Sequence, residues 1–97
     1  MALIRGVTPV DFGSFPGRGE CSTVIVGEPD VKTTSFVRCW VTPVATSDHS
    51  ADEHVLEEIR VMATTYVAGV GFTIRAMADA PGAMVYGKFS VAWEVSP

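Results

Sequence analysis

The chain has 97 residues, enough for one domain, with 11 acidic against 7 basic residues, a net charge of −4 and only 19% charged residues. The basic residues are scattered, so no cationic stripe exists to displace counterions from nucleic acid or to hold an anionic membrane surface, and no apolar run approaches the roughly 20 residues that span a bilayer. With 47% apolar residues, so small a domain cannot easily clothe its surface in polar groups, which favours burial against copies of itself or a larger assembly.

Met1-Ala-Leu-Ile-Arg5 lacks the apolar stretch of a secretory leader, so synthesis and folding in a cytoplasm are expected. Ala2 to Val7 reads as a short strand or as an arm lying on a neighbour. Thr8 to Glu20 sets Pro9, Gly13, Pro16, Gly17 and Gly19 around Phe12 and Phe15. That composition sustains neither a helix nor a central strand. Two phenylalanines there predict a loop pinned to something apolar, either the domain's own core or an adjacent subunit. Residues 1–20 are therefore expected to make contacts, with Leu3, Ile4, Phe12 and Phe15 as the candidate assembly residues. Gly17-Arg-Gly19 is no phosphate loop, because no strand precedes it and no lysine follows at the needed spacing.

Ser22 to Val26 is the second predicted strand, and Gly27-Glu-Pro-Asp30 is a turn by composition. Thr34 to Val41 is the third, with Phe36, Arg38 and Trp40 on one side and Val37, Cys39 and Val41 on the other; Pro43 ends it. Cys21 and Cys39 lie in or beside strands that could pair as a hairpin, which leaves a cross-strand disulfide geometrically open. Without a secretory leader, reduced thiols are the expectation. Two cysteines alone do not make a zinc site.

Ser50-Ala-Asp-Glu53 has the form of a capping box. Beyond it, Val55, Leu56, Ile59, Met62, Ala63 and Tyr66 fall on one helical stripe, while the flanking β-runs at short spacing argue for a strand. We expect one helical turn near Ser50–His54 and a strand from about Glu57 to Tyr66. Phe72 to Ala78 and Met84 to Val95 then alternate with a period of two, joined at Asp79-Ala-Pro-Gly82 as a final hairpin. In the second run Val85, Phe89, Val91, Trp93 and Val95 point one way, and Tyr86, Lys88, Ser90 and Glu94 the other. Residues 1–97 thus read as a single all-β domain, a small six-stranded antiparallel β-sandwich with one short helical turn.

The one chemically suggestive cluster is Asp48-His-Ser-Ala-Asp-Glu-His54. Asp48, His49, Asp52 and His54 are weak metal-ligand candidates, since His49 and His54 are five apart and miss the helical i, i+4 spacing. The expectation is instead a solvated loop in which Ser50 caps a helical turn, with no metal bound. Neither a nucleophile triad nor a carboxylate pair in a cleft is evident, so no enzymatic activity and no cofactor are expected. Among the aromatic residues, Trp40 and Tyr86 are the outward-facing ones, able to stack on a sugar ring.

From Glu57 to Val95 the chain resembles an H-type lectin domain. That span is about two-fifths of the chain, and the resemblance is carried within it by Ile59-Arg-Val-Met-Ala63, Val67-Ala-Gly-Val-Gly-Phe-Thr-Ile74 and Tyr86-Gly-Lys-Phe-Ser-Val-Ala-Trp93. It implies a six-stranded sandwich that assembles as trimers or hexamers. The family's sugar-contacting group before the last strand has no aromatic counterpart within Asp79–Ala83, and its binding residues do not map here one by one. Thr46–His54 together with Gly69–Ala76 also resembles small proteins from tailed-phage structural gene clusters. That implies a virion component made in the host cytoplasm: an oligomeric, trimeric capsid decoration or cement protein contacting larger proteins such as the major capsid protein. The alternative is a carbohydrate-binding module of a tail fibre, with glycan as ligand.

Overall fold

The computed structural model describes residues 3–56, 59–79 and 83–96. Among these, six strands and one short helix follow in the order β1 (Ile4–Asp11), β2 (Glu20–Ile25), β3 (Phe36–Val41), α1 (Ala51–Leu56), β4 (Ile59–Val67), β5 (Gly71–Ala78) and β6 (Lys88–Ser96). They form two three-stranded sheets, ordered β1-β6-β3 and β2-β5-β4, in which every pairing is antiparallel. The all-β architecture is the one the alternating pattern predicts.

The two sheets close over one core because each strand offers one apolar face. Val10, Phe89, Val91, Trp93 and Val95 from the first sheet meet Ile25, Phe72, Ile74 and Ala76 from the second. Phe72 and Trp93 touch edge to face across the layers, with centroids 5.4 Å apart, and Phe12 meets Phe89 at 6.2 Å. Burying each such ring contributes about 2–3 kcal/mol before strain and entropy are counted. Gly6 lies opposite Trp93 in the ladder. Its lack of a side chain leaves the room that the indole fills, and Trp93 Nε1 donates to Thr8 Oγ1 at 3.1 Å.

Three topological expectations are corrected. β5 and β6 are not a hairpin: each is the middle strand of a different sheet, and they face each other across the core. Period-two alternation marks the buried side of a strand but not the strand beside it. For the same reason β2 and β3 do not pair, so Cys21 and Cys39 sit in separate sheets, and both thiols are free. β1 also runs on through Pro9 to Asp11 instead of stopping at Val7. Pro9 lies opposite Ser90, whose own N–H turns away toward His54. The missing proline N–H therefore falls on the open edge of the sheet, where no ladder bond is lost.

Smaller differences have local causes. The run from Met84 breaks at Gly87, which adopts φ 78° and sits so close to Asp48 and His49 that a side chain would collide with them. β6 starts only after it, and Val85 keeps an isolated bridge to Arg18. The helix is α1, capped by Ser50: its Oγ accepts the Glu53 N–H at 3.3 Å, and Glu53 returns an acceptor to the Ser50 N–H at 3.0 Å. β4 is a strand, as its neighbours required, with a bulge between Thr64 and Val67 and Thr65 at φ 53°. The expected start of that strand at Glu57 and most of the turn at 79–82 lie outside the described residues.

Candidate functional site

Three surface features carry chemistry, and all lie on or beside the β1-β6-β3 sheet. The first is that sheet's outer face, where the ladder register lines residues into rows. Arg5, Glu94 and Arg38 form one row, and Val7, Ala92 and Trp40 the next. Glu94 Oε2 accepts from Arg5 Nε at 2.9 Å, while Oε1 accepts from Arg38 Nη2. Glu94 is only 8% exposed beneath the two arginines. The Arg38 hydrogen bond and the two guanidinium charges outweigh burial and hold its carboxyl below the usual carboxylate range. Beside this row, Val7 is 57% exposed, Trp40 46% and Phe36, opposite Ser96, 78%. Arg5, Val7, Trp40, Ala92 and Glu94 line an open groove of about 480 Å³.

The second feature is the segment 42–54, which takes over where β3 ends. β3 pairs with β6 only as far as Val41 opposite Val91. The remaining polar backbone groups of Lys88 and Ser90 on that side would be orphaned, yet each finds a partner. Thr42 N–H donates to Ser90 O at 3.0 Å, and Thr46 Oγ1 donates to Lys88 O at 2.8 Å. Asp48 Oδ2 accepts the Lys88 N–H at 2.9 Å, and His54 Nε2 accepts the Ser90 N–H at 2.9 Å. His54 Nδ1 donates to Ser50 O at 2.7 Å, which fixes the tautomer.

His49 is held differently. Its Nε2 donates to Tyr86 O at 2.6 Å and its Nδ1 faces Glu53 Oε2 at 2.8 Å, while its ring stacks on Phe89 with centroids 4.1 Å apart. Burial alone would lower its pKa. The Glu53 carboxylate and the Tyr86 carbonyl outweigh it, and the net shift is upward. The structure thus brings Asp48, His49 and His54 together but spends them on backbone and packing, while Asp52 stays exposed on α1. Among the described residues, no group of three or more His, Cys, Asp or Glu side chains is placed to hold a metal ion.

The third feature is a pocket of about 440 Å³ at the same end of the sheet, lined by Asp11, Ser14, Phe15, Asp48, Tyr86 and Lys88. Phe15 is 77% exposed and packs edge-on to Tyr86 at 5.4 Å. The loops that carry them are tied by Gly87 N–H to Gly13 O at 2.8 Å and Phe12 N–H to Gly87 O at 2.9 Å.

The expected contact residues divide by alternation. Leu3 and Phe15 face solvent, but Ile4 packs against the core and Phe12 is fully buried beside Phe89. Phe12 is therefore removed from the contact set, and the proline- and glycine-rich loop is pinned to the domain's own interior, while Ile4 stays partly exposed. Trp40 and Tyr86 are both exposed, yet they line two different hollows and do not form one site. Phe36, Val7 and the Arg5–Glu94–Arg38 row were not singled out from sequence. The side shared by Phe36, Arg38 and Trp40 was the available signal, but their partners on β1 and β6 depend on strand order. Burial, and then the charge of Asp11, push the Cys21 thiol up to about 11, and burial raises that of Cys39, so both stay protonated at neutral pH. No family model, no curated protein and no solved structure matches this chain.

Proposed function

We propose that this protein is a non-enzymatic structural subunit, an oligomeric decoration or cement protein of a tailed-phage virion, which docks onto larger coat proteins through the outer face of the β1-β6-β3 sheet. The observation that carries the docking is that face itself: Val7, Phe36 and Trp40 stand exposed on a three-stranded surface around the Arg5–Glu94–Arg38 row. An apolar centre with arginine and tryptophan at hand is the composition of a persistent interface. The virion setting is supported by the resemblance of Thr46–His54 and Gly69–Ala76 to small phage structural proteins. Co-sedimentation with purified capsids tests it. Wild-type protein should pellet with the particle and Phe36→Ser/Trp40→Ser should stay in solution; equal pelleting of both would remove the proposal.

A second reading, a glycan-binding module, is favoured by the Phe15–Tyr86 pocket, where aromatic rings stand beside carboxylates and an ammonium. Reproducible binding to one sugar family on a glycan array, lost in Tyr86→Ala, would establish it. A blank array would dismiss it.

A further inference from the structure

The groove around Trp40 and the pocket around Phe15 have complementary chemistry. On the groove side, the Arg5 and Arg38 side chains are 71% and 75% exposed. Each guanidinium has donors left over after bonding Glu94. In the pocket, Asp11 holds the Gly13 N–H with Oδ1 at 2.8 Å and Asp48 holds the Lys88 N–H with Oδ2. The second oxygen of each carboxylate makes no hydrogen bond among the described residues. Two aromatic rings and two carboxylates in one hollow suit a guanidinium, which stacks on rings and bonds carboxylates in the same approach.

Packing the groove face against the same face of another copy would serve neither partner. It would bring the exposed guanidinium groups of both copies together, while Glu94, the acid of that row, is already covered by its own arginines. Like charges opposed across an interface are costly. The row carries two positive charges and one negative in a chain whose net charge is −4. The pocket lining carries the opposite balance, Asp11 and Asp48 against the single cation Lys88.

We propose that copies of this chain join head to tail, with the Trp40 groove and its flanking arginines on one copy seated on the Phe15–Tyr86 pocket of the next. This rests on the reading of the protein as an oligomeric subunit and divides the outer face of the β1-β6-β3 sheet: the Trp40 groove goes to the neighbouring copy, and the Phe36 end of β3, opposite Ser96 and outside the groove, is left for the coat. A contact between two different patches leaves one of each free at the ends, so it grows until a ring closes or, where the rotation does not close, into a filament. Both patches are fixed before they meet. The three-residue charged row ties β1, β6 and β3 together, and the loops under Phe15 and Tyr86 are cross-linked through Gly13, Val85 and Gly87. Little ordering then remains to oppose association.

Sedimentation velocity on the full chain over a wide concentration range tests the proposal, using two variants that leave the Arg5–Glu94–Arg38 row intact. Val7→Glu/Trp40→Glu sets carboxylates against the pocket's carboxylates, and Phe15→Ser/Tyr86→Ser empties the pocket of its rings. Wild type should sediment as a species larger than a dimer that falls apart at high salt. Each variant alone should be monomeric, and an equimolar mixture should give a species of twice the monomer mass and nothing larger, since only one productive contact can form. Self-association by Phe15→Ser/Tyr86→Ser alone, or a mixture that stays monomeric, would overturn the inference. Should either variant lose its β-type circular dichroism, Trp40→Gln and Phe15→Gln replace the pairs. A monomeric wild type that still pellets with capsids refutes the head-to-tail contact while leaving the docking proposal standing; failure of both refutes both.

Discussion

The two sheets share a core and an architecture, but their outer faces differ. On the β2-β5-β4 sheet the register gives rows such as Glu20–Met77–Arg60 and Ser22–Arg75–Met62. Its charges are paired at the surface, Arg75 with Glu20 at 3.3 Å and Arg60 with Asp79 at 3.7 Å. Across the β1-β6-β3 sheet the central carboxylate is buried under two arginines, and large apolar side chains stand in the open. Both faces leave aliphatic side chains in the open, Val24 and Met62 on the one and Val7 on the other; what sets the second apart is that exposed aromatic rings, Phe36 and Trp40, flank a buried carboxylate. Both are compatible with the same inner alternation, because a strand's buried side constrains nothing about what its other side will meet.

The largest effect should come from breaking what the faces share. Phe89 is buried between Phe12 and the rings of His49 and His54. Phe89→Ala should cost about 3–5 kcal/mol in urea unfolding, enough to unfold a domain of marginal stability. Next, the faces should separate. Phe36→Ser with Trp40→Ser should abolish association while moving the unfolding midpoint little, and Val24→Ser with Met62→Ser, equally exposed on the other sheet, should leave the sedimentation profile unchanged. Equal effects from both pairs would erase the distinction between the faces.

pH sharpens it further. Because the Glu94 pKa is lowered by folding, its stabilisation is complete above the ordinary carboxylate pKa and is lost as pH falls through the folded value. Glu94→Gln should therefore be destabilising at neutral pH, with the gap closing in acid. His49 behaves oppositely. Its raised pKa makes a contribution that is complete below the ordinary imidazole pKa and is lost as pH rises through the folded value, so His49→Ala should hurt more at pH 5 than at pH 9. Unfolding midpoints across pH check both signs. The smallest effect belongs to the surface pair: Arg75→Gln should change stability by about 0.5 kcal/mol or less, since the two side chains are 48% and 66% exposed.

Inner faces were legible from sequence. Val85, Phe89, Val91, Trp93 and Val95 all turn inward as the alternation requires. So was the α1 cap, because Ser50 and Glu53 form a purely local exchange. Strand partners were not legible: β5 and β6 are consecutive and alternate cleanly, yet they pair with other strands. The outer face was half visible in Phe36, Arg38 and Trp40, but Val7 and Glu94 join them only through register. His49 and His54 carried a misleading signal. A dense run of histidine and carboxylate resembles a ligand set, and only the truncated β3 reveals that Asp48 and His54 are needed by the backbone of β6, while His49 is held by the Tyr86 carbonyl and Glu53.

That truncated ladder has a further consequence. A bare strand margin normally invites a foreign strand to zip alongside it, and Lys88 to Ser90 would offer such a margin once β3 departs. Thr42, Thr46, Asp48 and His54 occupy every backbone group available there, so nothing remains for an incoming peptide to grip. Along that stretch, recognition has to proceed by laying one surface on another instead of lengthening the sheet.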